Sequence, residues 1–226
     1  MLDKPKILKN TSYWEDELKR LEGLMAKGED VVAEYERANT NALGERRIME
    51  ALHTLDMPMH ILRDVNINYD GKASRVNYMV FTRKMAFVIE CDDIYGNIEI
   101  AHDGGFERSH GGRENRVIEG VFYPMASCRE HIDLIRKIKK DEMKGMSRFF
   151  QRIMHFGNWY KPVVVITDPK ATFSDVRAPK SFKQKVVRVD LLPAYIKNEY
   201  ADSDEYISDD KEMDEWSGQF LKMHKD

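Results

Sequence analysis

The sequence predicts an α/β protein in which a mixed β-sheet is flanked by helices, with extra helices at the N-terminus. Apolar residues recur at helical spacing up to about residue 55, and short strand-like segments follow from Met59. A continuous apolar run at 162–166 is typical of a strand that is buried on both faces. Helices first, then several strands, a helix and two further strands form an order that suits helices packed on a sheet.

The N-terminal segment, residues 1–40, is predicted to be helical. Ser12 is suited to cap a helix, and Glu15, three residues later, can complete a capping box. Gly28 ends the apolar pattern of this first helix. Further helical stretches are expected at 30–38 and 43–55, so we expect almost only helix in this part of the chain.

The middle of the chain, residues 41–195, is predicted to form the main α/β domain. Its predicted elements are, in order, strands at 60–68, 74–82, 85–92 and 96–101, a helix from Pro124, a short helix at 146–154, and strands at 162–166 and 185–189. The segment 103–120 is rich in glycine and charge, shows no periodic apolar pattern, and is expected to be a loop. Residues 196–226 are predicted to be an acidic tail that is helical in part.

Composition excludes several classes of protein. Of the 226 residues, 33% are charged and the formal net charge is −3, which indicates a well-solvated surface. No stretch approaches the roughly 18 apolar residues of a membrane span, and the first ten residues lack the apolar core of a secretory signal. The two cysteines, Cys91 and Cys128, cannot build a disulfide framework. We therefore expect a cytoplasmic protein without a membrane partner.

Charge is distributed unevenly along the chain. The stretch 136–152 is basic, and the stretch 199–215 carries nine acidic residues and one base. The basic residues are Arg136, Lys137, Lys139, Lys140, Lys144, Arg148 and Arg152. Such a basic helix suits the phosphate backbone of DNA or RNA, although a solvated helix face gives the same pattern. The acidic segment could shield a basic groove, meet a partner, or simply be soluble and mobile.

One predicted hairpin gathers polar side chains at its open end. If the turn consists of 83–84 alone, Asn77 faces Glu90 across the two strands, and Arg75 faces Asp92. These four side chains would then project from the same face. A register shift of one residue would move them to the opposite face.

Two chemical interpretations of this end of the hairpin remain open. Carboxylates two residues apart on a strand, here Glu90 and Asp92, can hold Mg²⁺ or Mn²⁺, and Asn77 can add a neutral oxygen ligand. Alternatively, Arg75 and Asp92 form an ion pair and Glu90 is hydrogen-bonded nearby. Spacing alone does not choose between a metal site and an ion pair.

The residues that carry these motifs resemble the NERD (nuclease-related) domain family. The similar runs are LGERR at 43–47, VNYMV at 76–80, FVIECD at 87–92 followed by Gly96, and Tyr123-Pro124 at the start of a helix. The resemblance covers roughly residues 42–140. It implies a restriction-endonuclease-like fold, in which an acid and a Glu-x-Lys motif hold Mg²⁺ and orient a water for phosphodiester cleavage.

The sequence keeps part of the family pattern and departs from the rest. By resemblance, Glu45 and Glu90 are retained as site residues. Four positions differ: Asn77 stands where the family has Asp, Asp92 where it has Lys, Tyr123 where it has Asn, and Ser127 where it has Gln. An Asn in place of Asp weakens the attraction for a dication, and an Asp in place of Lys opposes an approaching phosphate.

These departures lead to three functional hypotheses. The first is a NERD-like protein with a degraded nuclease site that acts by binding nucleic acid or protein. The second is an active Mg²⁺-dependent nuclease that uses Glu45, Asn77, Glu90 and Asp92 as a rearranged set of ligands. The third is an interaction module in which the basic helix and the acidic tail are complementary surfaces. His131, on the helix after Pro124, could approach the same site.

Overall fold

The computed structural model describes residues 4–94, 96–110, 117–142, 159–183 and 185–223. The strands are β1 (Pro5–Asn10), β2 (Met59–Tyr69), β3 (Lys72–Thr82), β4 (Ala86–Glu90), β5 (Asn97–Ile100), β6 (Phe106–His110), β7 (Val117–Phe122), β8 (Tyr160–Ile166), β9 (Phe173–Ser174) and β10 (Val186–Arg188). The helices are α1 (Tyr13–Met25), α2 (Val32–His53), α3 (Pro124–Glu142), α4 (Lys180–Lys183), α5 (Leu192–Ala201) and α6 (Asp210–Met223), with a 3₁₀ turn at Val189–Leu191.

Two mixed sheets organise the described part of the chain. The larger sheet has six strands in the order β1-β2-β3-β4-β8-β10. Its β2–β3–β4 portion is antiparallel, whereas β1 pairs with β2, β8 with β4, and β10 with β8 in parallel. The smaller sheet has the order β7-β6-β5-β9. The predicted α/β class with a mixed sheet and flanking helices is confirmed.

Helices cover both faces of the larger sheet. On one face, Ile48 and Leu52 of α2 and Ile196 of α5 pack against the sheet. On the other face, Ile135 of α3 and Phe220 of α6 do the same. The predicted strand at 162–166 is part of β8, which lies between β4 and the edge strand β10. Its alternate residues enter different core clusters, as expected of a strand buried on both faces.

The predicted hairpin register is confirmed. The amide of Thr82 donates to the carbonyl of Met85, which closes a two-residue turn. Phe81 pairs with Ala86, and Met79 with Val88. Because side chains alternate along a strand, this register places Asn77 and Glu90 on one face, at the end of the strands remote from the turn.

Two expectations for the N-terminal part are wrong in detail. Residues 5–10 form an edge strand parallel to β2, not part of a helical segment. The two helical stretches predicted at 30–38 and 43–55 are one helix, α2. Its polar middle is held by Asn41, which exchanges hydrogen bonds of 3.0 and 2.7 Å with the side chain and amide of Asp93. Because that contact joins residues far apart in sequence, no local sequence pattern predicts it.

The segment expected to be a loop at 103–120 instead contributes strands β6 and β7. Phe106 is fully buried and its ring lies 5.7 Å from that of Phe122. Val117 and Val121 are about half exposed, which explains the missing apolar periodicity. The short helix predicted at 146–154 lies outside the described residues.

The acidic C-terminal segment is helical in part, as predicted, and it is packed rather than loose where the structure describes it. Met213 and Phe220 of α6 are fully buried against the larger sheet. The acidic residues occupy the solvent side of the same helix. Among the described helices, each is too short or too polar to cross a membrane.

Candidate functional site

Arg75 stands at the centre of the polar cluster at the open end of the β3–β4 hairpin. Its guanidinium forms an ion pair with Asp92 and lies 3.6 Å from Oδ1 of Asp64. The rings of Tyr13 and Trp14 lie against it, with centroids 4.5 and 5.6 Å from the guanidinium carbon. Two carboxylates and two aromatic rings thus enclose one cation.

Several carboxylates raise the pKa of this arginine. Burial alone would lower the pKa of Arg75, but Asp92, Asp64, Glu45 and Glu90 together raise it. The guanidinium therefore serves as the counter-ion of an acidic cluster, and its charge is fixed at every physiological pH.

Asp92 has both carboxylate oxygens engaged. Oδ1 accepts a hydrogen bond of 2.7 Å from the indole of Trp14, and Oδ2 is paired with Arg75. Burial raises the pKa of Asp92 above its ordinary value, while Arg75 acts in the opposite direction. The ion pair that the sequence offered as one of two interpretations is present.

Asn77 and Glu90 also have structural partners. Oδ1 of Asn77 accepts a hydrogen bond of 2.9 Å from the amide of Cys91, just after the end of β4. Oε1 of Glu90 accepts from the amide of Asp92 at 3.4 Å, and its Oε2 lies 3.3 Å from Nε2 of His131. His131, which the sequence allowed either at this site or in a merely structural or exposed position, thus lies beside Glu90.

Glu45 reaches the cluster from α2, on the side of the sheet opposite α3. Its Oε2 accepts hydrogen bonds from Ser12 at 2.5 Å and from Arg63 at 2.6 Å. Its Oε1 is buried without a hydrogen-bond partner among the described residues. Burial raises the pKa of Glu45, against the lowering effect of Ser12 and Arg63. Within the part of the chain that the structure describes, these hydrogen bonds tie Glu45 to Ser12 and Arg63, and not to Asn77, Glu90 or Asp92.

The oxygen donors at this site do not fit a divalent cation. The amide oxygen of Asn77 is used by the backbone, and Asp92 is used by Trp14 and Arg75. In the part of the chain that the structure describes, no three His, Cys, Asp or Glu side chains are placed to share a metal ion. A dication would also meet the positive charge of Arg75 at close range.

The two cysteines offer no alternative chemistry. Cys91 and Cys128 are free and buried, and burial raises the pKa of each thiol well above its ordinary value. A protonated, inaccessible thiol is a poor nucleophile.

Comparison with family models identifies the domain that carries this site. The model of the nuclease-related domain family, NERD, matches residues 40–167. The chain belongs to the NERD family. The match spans more than half of the sequence, and it confirms both the resemblance read from the motifs and the restriction-endonuclease-like fold. Comparison with curated proteins and with solved structures found no match.

The NERD match begins after the segment that closes the site. Ser12, Tyr13 and Trp14 all contact cluster residues, yet they precede residue 40. A pocket of about 380 Å³ opens beside them, and Arg75 and Asp92 form part of its wall. The mouth of the NERD site is therefore shaped partly by an N-terminal addition.

Arg63 and Asp64 are the site residues that the sequence reasoning missed. Arg63 bridges Glu45 and Glu15, and Asp64 pairs with Arg75. Asp64 adopts a φ of 56°, which is rare for a residue other than glycine and often marks a functional site. Two adjacent charges inside the apolar strand β2 were the signal that could have revealed them.

The basic helix predicted to meet phosphates is partly neutralised within the described chain. Arg136 pairs with Asp133 at 3.1 Å, and Lys137 pairs with Asp70. Lys139 is buried, with its ammonium 5.5 Å from the ring centroid of Phe220. Lys140 is exposed. Lys144, Arg148 and Arg152 lie outside the described residues.

Proposed function

We propose that this NERD-family protein binds nucleic acid without cleaving it, because its own Arg75 neutralises the acidic cluster of the nuclease-like site. One observation carries the proposal. The guanidinium of Arg75 lies between Asp64 and Asp92 and shares the field of Glu45 and Glu90. The guanidinium of Arg75 therefore lies close to the place where a nuclease of this family would need a metal ion and a free lysine.

The electrostatics of the site support binding over cleavage. A phosphodiester gains negative charge as it reacts, and a nuclease stabilises that charge with a positioned cation. Here Asp92 stands at the position of the family lysine, and the nearest guanidinium is already paired with it. The amide oxygen of Asn77 is also committed to the amide of Cys91, which makes it a poor ligand for Mg²⁺ or Mn²⁺.

Nucleic acid is the ligand class that the family description favours. The matched family is named for its relation to nucleases, and a fold that keeps a groove for nucleic acid can retain binding when the chemistry is lost. On the surface, Lys140 of α3 is exposed and Arg136 is about 40% exposed. Non-specific binding through such cations typically has a Kd on the order of 10⁻⁵ M at physiological salt.

The test compares the wild type with Glu90→Gln. Supercoiled plasmid and single-stranded DNA are incubated with each protein in Mg²⁺, in Mn²⁺ and in EDTA, and a fluorescent oligonucleotide is titrated in parallel. We expect oligonucleotide binding, and cleavage no greater than in EDTA for either protein. Mg²⁺-dependent cleavage by the wild type that disappears in a folded Glu90→Gln variant would instead establish the rearranged nuclease. Absence of binding at low salt would favour the interaction-module hypothesis.

A further inference from the structure

Four consecutive residues close the acidic cluster from outside. We name residues 12–15 the cover segment. Its two buried members hold carboxylates: Ser12 donates to Glu45 at 2.5 Å, and Trp14 donates to Asp92 at 2.7 Å. Ser12 also caps α1 by accepting from the amide of Glu15. These two side chains fix the cover segment to the NERD domain.

The other two members of the cover segment contact arginines. The ring of Tyr13 lies on the guanidinium of Arg75, 4.5 Å from ring centroid to guanidinium carbon. Oε1 of Glu15 accepts hydrogen bonds from Arg46 at 3.1 Å and from Arg63 at 3.3 Å. Although burial opposes it, the hydrogen bonds and charges of these two arginines hold the pKa of Glu15 below its ordinary value.

This pair of contacts imitates a bound nucleotide. Proteins that bind single strands stack bases on aromatic rings or guanidinium planes, and they bind phosphates with converging arginines. Tyr13 offers an aromatic face to Arg75, and Glu15, two residues along, offers an anion to Arg46 and Arg63. The cover segment thus presents both chemical features of a nucleotide to three arginines at one site.

We infer that the cover segment is an internal competitor for single-stranded nucleic acid, and that Arg46, Arg63 and Arg75 form the nucleotide-binding site that it occupies. The inference rests on the proposed function, to which it adds the place of binding and its regulation. Ser12 and Trp14 act as anchors, whereas Tyr13 and Glu15 are the competing groups.

Solvent exposure agrees with this division of roles. Ser12 and Trp14 are 3% and 7% exposed, while Tyr13 is 45% exposed. The side chain of Arg46 is 54% exposed and that of Glu15 is 31% exposed, whereas Arg63 is 5% exposed and is also paired with Glu45, so Arg46 is the arginine that an incoming phosphate meets first. An ion pair and a stacked ring at the surface can open without unfolding α1, so an incoming phosphate and base can replace them while the anchors stay in place.

The experiment releases the competing groups and leaves the anchors intact. The affinity of the full-length protein for fluorescein-labelled oligothymidine is measured by anisotropy at constant salt. Because an internal competitor raises the apparent Kd to the intrinsic Kd divided by the open fraction, Tyr13→Ala/Glu15→Gln should bind about tenfold more tightly than the wild type. The control Asp16→Asn removes the same charge from a neighbouring residue that pairs with exposed Lys19, and it should stay near the wild-type affinity.

A further variant locates the gain. Adding Arg46→Gln to Tyr13→Ala/Glu15→Gln should return the affinity to the wild-type range, since the released arginine would then be missing. Glu15→Gln alone keeps the stacked ring and should show a smaller gain in the same direction, which covers the case of a double variant that does not fold.

The outcomes separate this inference from the proposed function. Wild-type binding with no gain in the released variants would overturn the internal competitor and leave nucleic-acid binding intact. A gain equal to that of Asp16→Asn, or one that persists with Arg46→Gln, would overturn the assignment of the site. No binding by any of these proteins would overturn both the inference and the proposed function.

Discussion

Arg75 supplies the positive charge that faces the carboxyl groups of Asp64 and Asp92 in a confined space. Asp92 is 15% exposed at its side chain, and Asp64 is 9% exposed. Carboxylates that are removed from water need a counter-ion or a proton, because burial penalises the charged form. Replacing this arginine leaves the carboxylates without their nearest compensation.

We expect Arg75→Gln to lower the free energy of unfolding by about 3 kcal/mol, because removing one partner of a largely buried ion pair leaves the other charge uncompensated. The measurement is urea unfolding at pH 7. The control is Arg37→Gln. The side chain of Arg37 is 56% exposed and pairs with Asp93, so its replacement should lower the free energy of unfolding by less than about 1 kcal/mol. Equal costs for the two variants would contradict the central role of Arg75.

The docking of α6 on β2 depends on a buried histidine. His60 is fully buried, and its Nδ1 lies 2.8 Å from the hydroxyl of Ser217. That hydroxyl donates to the carbonyl of Met213, so the imidazole must donate to Ser217 through Nδ1. Nε2 faces Asp214 at 3.6 Å, a distance longer than a hydrogen bond. The helix is thus joined to the sheet through the imidazole of His60 and the hydroxyl of Ser217.

This contact makes stability depend on pH. Burial lowers the pKa of His60 below its ordinary value, and the charge of Lys6 acts in the same direction. The charges of Asp214 and Asp210 raise this pKa but do not overcome the effect of burial. A histidine with a lowered pKa in the folded state binds more protons when unfolded. Stability should therefore fall as the pH drops through about 6.5, the ordinary value for histidine.

Urea unfolding between pH 7.5 and pH 5 measures the effect, with His60→Gln as the test variant. We expect a flatter pH dependence in His60→Gln, because the proton uptake on unfolding is lost. The control His53→Gln removes a histidine at the exposed end of α2 and should keep the wild-type dependence. An unchanged slope in His60→Gln would assign the pH effect to other groups.

Basic α3 and acidic α6 pack on the same side of the larger sheet. The basic and the acidic stretches of the sequence therefore lie on one face of the sheet. Their side chains enter the same core cluster, and Lys139 lies over the ring of Phe220. The acidic helix therefore lies where it can lower the potential around α3. Such a face would attract nucleic acid less strongly than the basic sequence of α3 suggests.

Salt dependence tests whether α3 nevertheless contacts phosphates. We expect Arg136→Gln/Lys140→Gln to weaken oligonucleotide binding and to reduce the slope of log K against log salt by about 1.5, since each phosphate contact on a single strand contributes about 0.7. The matched control, Lys19→Gln/Lys211→Gln, removes two lysines that are 75% and 84% exposed on α1 and α6. A slope that changes equally in both variants would place the phosphate contacts elsewhere.

The sequence by itself determined the features that depend on neighbours along the chain. The turn at 83–84 and side-chain alternation fixed the register that places Asn77 and Glu90 on one face. The capping interaction of Ser12 with the amide of Glu15 is present as the pattern indicated. The apolar run at 162–166 predicted a strand within the core, because a strand that is buried on both faces consists almost entirely of apolar residues.

Only the tertiary structure decided which charges meet. Arg75 is enclosed by Tyr13 and Asp64 as well as by Asp92, and Glu15 lies between Arg46 and Arg63. These partners come from different helices and strands, so no periodicity in the chain records their approach. The energy of an ion pair depends on the distance between its charges and on their removal from water, and folding sets both. For that reason the sequence, which already placed Arg75 opposite Asp92, left a metal site and an ion pair as equal alternatives, and the fold favoured the ion pair by bringing Trp14 to Asp92 and Asp64 to Arg75.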